Sequence, residues 1–180
     1  MNILYFIAIT PDDIVSKEVT AYKNHMAVKY FSKAALTSPP HITLYPPFKW
    51  DSQNENVIID SLSDFVQNKN PFNITLNGFG CFKPRVIFIK PETSEEHNKL
   101  QKDLLLHLKT TIDLYDQQNE RPYHPHMTIA TRDLQKKYFY EAWEEFKNKK
   151  FSVEFNARSV TLLKHNSKYW DIYKVFNLSQ

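Results

Sequence analysis

The run HITLYPP (residues 41–47) has a counterpart late in the chain, HPHMTIA (residues 124–130). Each copy holds a His, one residue, a Thr and an aliphatic residue, within a β-like run bordered by proline. Side chains at i and i+2 of a strand share one face. His41 and Thr43 therefore point one way, and Ile42 and Leu44 point the other, into core. His126 and Thr128 repeat the pattern opposite Met127 and Ile129. A long helical pattern and a proline-containing loop precede each copy, which suggests a duplicated α+β unit.

The flanking sequence fits that reading. Residues 2–10, NILYFIAIT, form an apolar strand buried on both faces. Thr10 as cap, Pro11 at the first helical position and the acids Asp12 and Asp13 open a helix running to about Phe31. TSPP (37–40) breaks the chain before a strand over 41–45, which Pro46-Pro47 is expected to stop. Val57, Ile58, Leu62, Phe65 and Val66 recur at helical spacing within 53–68. FNITLNGFGCF (72–82) and RVIFIK (85–90) read as strands joined around Lys83-Pro84. Thr93 or Ser94 caps a helix to about Leu114, with Leu100, Leu104, Leu108 and Ile112 as its stripe. A polar loop (116–123), the second motif strand (124–131), an aromatic helix (134–148) and three strands (151–156, 159–165, 169–177) complete the order. The class is mixed α+β, with long helices covering mostly antiparallel sheet.

Composition excludes several functions. Only two glycines occur in 180 residues, Gly78 and Gly80, so no glycine-rich phosphate cradle can be built. The single Cys81, flanked by Phe82 with Phe79 nearby, is expected to be a buried thiol and forms no intramolecular disulfide. The net charge of +3 permits an anionic ligand without demanding nucleic acid. The apolar start lacks a basic n-region and a cleavage site, and no run approaches a membrane span. A cytoplasmic, monomeric protein with no membrane association is expected.

The doubled motif carries the chemistry. A free imidazole titrates near pH 6.5, and a Thr hydroxyl can donate to a phosphoryl oxygen. Two such pairs facing each other could act as base and acid on either side of one phosphorus. A single His-x-Thr reads as an ordinary half-buried sheet pair; two copies at matched positions weaken that reading. His124 and His126 could be metal ligands, but no third or fourth ligand is apparent at ligand spacing. His25, His97 and His107 belong to predicted helices and are expected in solvated or helix-packing roles; His165 is expected in a turn.

HITL at 41–44 and HMTI at 126–129 resemble the two signature motifs of the 2H phosphoesterase superfamily, also called the 2′-5′ RNA ligase or LigT-like family. The second motif follows the first by about 85 residues, and the closing VTLLKHNSKYWDIYKVFNL (160–178) is similar to the family's final hairpin. The resemblance covers most of the chain. It implies a single domain over 1–180 of two lobes related by pseudo-twofold symmetry, with helices on the outer faces and a groove between. It implies catalysis by His41, Thr43, His126 and Thr128 on a 2′,3′-cyclic phosphate or 2′-5′ linkage, in an RNA end or a cyclic nucleotide. Hydrolase (phosphodiesterase) and ligase directions would share the site by reversibility. No metal or nucleotide cofactor is implied. His126 is expected as base and His41 as acid. Tyr45 and Tyr123 border the motifs and are candidates to stack a base, as are Phe48, Tyr169 and Trp170. Lys83, Arg85 and Lys164 could lend positive charge. One departure concerns Arg132: family members often place Arg directly after His-x-Thr-Leu-Ala, where this chain has Thr131. A one-residue shift flips a strand's face, unless the strand ends at Ala130. The alternative to an enzyme is a non-catalytic RNA- or nucleotide-binding module that keeps the groove.

Overall fold

Strand β1 (Asn2–Ile9) runs through the centre of the first of two four-stranded antiparallel sheets in the computed structural model, which describes residues 1–92, 94–117 and 121–179. The first sheet has the order β2-β1-β7-β8, with β2 (Ile42–Asp51), β7 (Ser159–His165) and β8 (Trp170–Asn177). The second has the order β5-β4-β3-β6, with β3 (Phe72–Phe82), β4 (Val86–Pro91), β5 (Met127–Ala130) and β6 (Ser152–Ala157). Helices α1 (Asp13–Lys29), α2 (Glu55–Val66), α3 (Glu95–Ile112) and α4 (Lys136–Phe146) complete the α+β architecture.

The duplication is visible in the topology. β1, α1 and β2 form one unit, β4, α3 and β5 the other. In each, the strand after the helix pairs antiparallel beside the strand before it and lies at the sheet edge. Both motif strands are therefore edge strands of different sheets. Alternation sorts the faces: Tyr5, Ile7 and Ile9 enter a core with Val19 and Met26 of α1 and Leu62 of α2, whereas Phe6 and Ala8 join Leu163 and Trp170 on the other face. The second sheet adds Ile74, Leu76, Ile87, Ile89, Met127 and Ile129 to the same core as the first.

Several expectations need correction. The α1 cap is Asp12, whose carboxylate accepts from the Ile14 and Val15 amides at 3.0 Å; Thr10 instead bonds Thr161. Helix α1 ends at Lys29, before Phe31 takes a left-handed φ of 58°. Ser94 caps α3 through the His97 amide; Thr93 and residues 118–120 of the polar loop lie outside the described residues. Pro46-Pro47 does not stop β2, which continues to Asp51. The two prolines lie opposite Phe6 at a register shift on an edge strand, where a missing N–H breaks no ladder. The second motif strand is shorter than expected, starting only at Met127. Cys81 is half-buried, and burial raises its pKa.

Candidate active site

His41 and His126 each stand one residue before their strand. Each imidazole makes the same local contact: His41 Nδ1 lies 2.7 Å from the Pro39 carbonyl, and His126 Nδ1 lies 2.7 Å from the His124 carbonyl. A carbonyl only accepts, so both rings carry a proton on Nδ1 and keep the Nε2 lone pair. Thr43 and Thr128 follow on the same face as their histidines.

Each strand then breaks its alternation at the same place. Ala8 pairs with Thr43 and Ile7 with Tyr45, leaving Leu44 as an extra residue. Phe88 pairs with Thr128 and Ile87 with Ala130, leaving Ile129 extra. A one-residue bulge flips the residues beyond it to the other face. Tyr45 and Ala130 therefore turn into the core, at 2% and 0% exposure. This corrects the expectation that Tyr45 borders the groove: its ring packs on Phe48 beside the α3 surface.

A cavity of about 200 Å³ opens between the two sheets, with His41, Thr43, Thr128 and Arg132 in its wall. Trp170 and Phe6 form an apolar side; Phe6 packs on His41 with ring centroids 4.7 Å apart. His126 does not line this cavity. It stands beside Thr128, against the rings of Phe82 and Phe88 at 5.1 and 5.4 Å. Arg132 reaches the cavity because β5 ends at Ala130 and Arg132 adopts a left-handed φ of 34°. No carboxylate lines the cavity among the described residues, which suits an anion.

Residues that the sequence did not single out hold this geometry. Lys23 of α1 is buried to 2% exposure and donates to the Ser38 carbonyl at 2.9 Å, bracing the turn that carries Pro39 and His41. Burial lowers its pKa to about 8. Asp133 accepts from the Lys33 and Ala34 amides at 2.7 and 2.9 Å and from Ser32 Oγ at 2.9 Å, tying the loop before β2 to the end of β5. Only the tertiary fold joins these segments, so no local signal marks them.

Tyr123, a candidate to stack a base, is anchored in the fold. Its hydroxyl donates to the Thr43 carbonyl at 3.0 Å and accepts from His97 Nε2 at 3.0 Å, linking α3 to the first motif strand. Burial lowers the His97 pKa to about 4, so that ring is neutral near pH 7. Of the other candidates, Trp170 alone lines the cavity, and Lys164 is engaged by Glu55 at 2.6 Å. His107 bonds the Ser61 carbonyl and His25 approaches Glu145, helix-packing roles as expected; His165 ends β7 against Trp170. No three His, Cys, Asp or Glu side chains converge as a metal site among the described residues, and His124 offers His126 its carbonyl.

Desolvation is the main cause that lowers both motif histidines. His41 falls to about 4, with the charge of Lys23 and then of His126 adding to the effect. His126 is lowered as well, and the charge of His124 adds to the effect. Both hydrogen-bonded carbonyls act in the opposite direction.

A model of the 2′-5′ RNA ligase superfamily matches residues 11–168. A protein of Oceanobacillus iheyensis named "Putative phosphoesterase" is 27% identical over 179 residues, covering 98% of each chain. Among solved structures, a Thermus thermophilus protein superposes with a TM-score of 0.71 at 17% identity, covering 97% of each chain. Escherichia coli LigT complexed with 3′-AMP superposes with a TM-score of 0.68 at 17% identity over the full length of both chains. Among the described residues, no helix is long and apolar enough to cross a membrane.

Proposed function

The chain belongs to the 2′-5′ RNA ligase superfamily, with a phosphoesterase-type fold, and from that premise we propose a metal-independent phosphoesterase of two-histidine acid–base type. Its substrate is a 2′,3′-cyclic phosphate or a 2′-5′ phosphodiester of RNA or a small nucleotide. The observation that carries the reading is the matched pair of imidazoles. Each is fixed by an Nδ1–carbonyl bond of 2.7 Å, each is followed by a Thr on one face, and each comes from the edge of a different sheet.

The chemistry follows from that pairing. One neutral imidazole takes a proton through Nε2 from water as the water oxygen bonds to phosphorus. The other, protonated, gives its proton to the departing ribose oxygen as the P–O bond breaks. Thr43 and Thr128 donate to the non-bridging oxygens, and Arg132 adds positive charge. Burial, which lowers the His41 pKa to about 4 and keeps that ring neutral, favours His41 as the base and leaves His126 as the acid. That is the reverse of the roles expected from the sequence.

The test is hydrolysis of a 2′,3′-cyclic nucleotide with chelator present, from pH 4 to 9, by wild type, His41→Ala and His126→Ala. Turnover that survives chelator and drops about 10²–10⁴-fold in each variant is expected. The acid limb of kcat/KM should lie well below pH 6.5, because the base starts neutral. Chelator-sensitive turnover overturns the metal-free reading. Nucleotide binding without turnover supports the binding module instead.

A further inference from the structure

We propose that the open face of the second sheet beside His126 binds the nucleotides adjoining the reacting phosphate, so that the substrate is an oligonucleotide end in preference to a lone nucleotide. This rests on the phosphoesterase reading above. Three observations support it, one on the cavity and two on that face.

The first is size. The catalytic cavity of about 200 Å³ is smaller than the roughly 300–1,000 Å³ of sites that enclose a small ligand. A ligand larger than the reacting group must extend beyond that cavity.

The second is an aromatic platform at the right place. Phe82 is 42% exposed, although it stacks on Phe88 at 4.7 Å and meets the His126 ring edge-on at 5.1 Å. An exposed phenylalanine touching a candidate catalytic ring is costly in water and suits a base, whose π-face stacks without regard to sequence. Gly80 makes the platform possible: a Cβ there would lie 2.5 Å from the Phe88 ring.

The third is charge. Met127 pairs with Ile89, so continuing the register sets Lys90 beside His126. Lys90 passes over Gly78, and the two line a second cavity of about 480 Å³ with Lys147, Lys149 and Lys150. The lysines thus run from β4 across β3 to the turn between α4 and β6, at about 4.8 Å per strand, away from His126. Lys147 is paired with Glu144, and Lys149 lies over the Tyr22 ring, which leaves Lys90 and Lys150 as the residues to test. A rings-then-lysines order fits a single strand, whose bases stack and whose phosphates interact with the lysines.

The test compares a 2′,3′-cyclic mononucleotide with a five-nucleotide RNA ending in the same cyclic phosphate, for wild type and for Lys90→Gln/Lys150→Gln. The readout is the ratio of kcat/KM, pentanucleotide over mononucleotide. Wild type should favour the longer substrate at least fivefold, and the variant should bring the ratio towards one and flatten its salt dependence. A wild-type ratio of one, or a ratio the variant leaves unchanged, overturns the proposal. In parallel, fluorescence anisotropy follows binding of a labelled five-nucleotide RNA with a 3′-phosphate end. If neither substrate turns over, the phosphoesterase reading fails, and this arm still decides the face: binding weakened at least fivefold in the variant supports it, and equal binding refutes it. Polyphosphate of equal charge competing as well as the RNA removes the stacking part of the proposal and overturns it as an RNA site.

Discussion

Replacing Tyr123 by Phe removes one oxygen and tests how the first motif strand is held. That oxygen donates to the Thr43 carbonyl and accepts the His97 Nε2 proton, each at 3.0 Å. His97 has no exposure, and its Nδ1 has no hydrogen-bond partner. The substitution therefore leaves a fully buried imidazole with neither nitrogen paired. Orphaning a buried donor costs about 1–3 kcal/mol, more than the bond itself contributes. At roughly 2–4 °C per kcal/mol for a chain of this size, the melting temperature should fall by about 6 °C for a mid-range cost of ~2 kcal/mol. Replacing both partners, His97→Leu with Tyr123→Phe, removes the orphan and should recover part of the loss. A double-mutant cycle should then return a coupling of about 0.5–3 kcal/mol. Urea denaturation followed by circular dichroism gives the energies, and kcat/KM on a cyclic nucleotide reports whether Thr43 has moved. A Tyr123→Phe cost within ~0.5 kcal/mol, with no coupling to His97, would refute the reasoning.

Gly80→Ala should lower kcat/KM more than it lowers stability, because the new Cβ, 2.5 Å from the Phe88 ring, pushes on the residue that packs against His126; an unaltered kcat/KM in a folded variant counts against that coupling. Acid stability should show the buried histidines: His41 and His97, both about 4 when folded, and His126, also lowered, bind fewer protons than the unfolded chain below pH 6.5. Stability should therefore fall as pH drops through that window, by a few kcal/mol in all, and His97→Leu should flatten the slope; urea midpoints from pH 4 to 7.5 measure it. Glu145 joins α4 to Lys29 at 2.7 Å and His25 on α1 and to Tyr30 just after it, and these partners outweigh desolvation to hold its carboxyl down to about 2. Glu145→Gln should cost about 1–3 kcal/mol at pH 7, and its difference from wild type should vanish as pH falls from 4.5 through 2, since the stabilisation is present only while the carboxylate is charged.

The chain alone could announce only the features that local periodicity encodes. The stripe Leu100, Leu104, Leu108 on α3 and the apolar alternation of β1 follow from 3.6- and 2-residue repeats, which need no knowledge of distant segments. The doubled His-x-Thr belongs here too, because i and i+2 share a strand face whatever that strand pairs with. The tertiary structure decided everything set by pairing across sequence distance. Tyr45 continues the alternation of His41 and Thr43 on paper; the bulge at Leu44, defined against β1, turns it into the core. Arg132 enters the cavity because β5 stops at Ala130 against β4 and the backbone turns left-handed. Lys23 carries no signal of its own in the α1 sequence; only the fold brings it the Ser38 carbonyl in the interior. Tyr123 reads as a groove aromatic until His97, 26 residues away, claims its hydroxyl. A buried polar group persists only where a partner meets it, and a strand's face is fixed only by its register. Both are properties of contacts between remote residues, so the chain shows which residue types the candidate site can draw on, and only the fold shows where they stand.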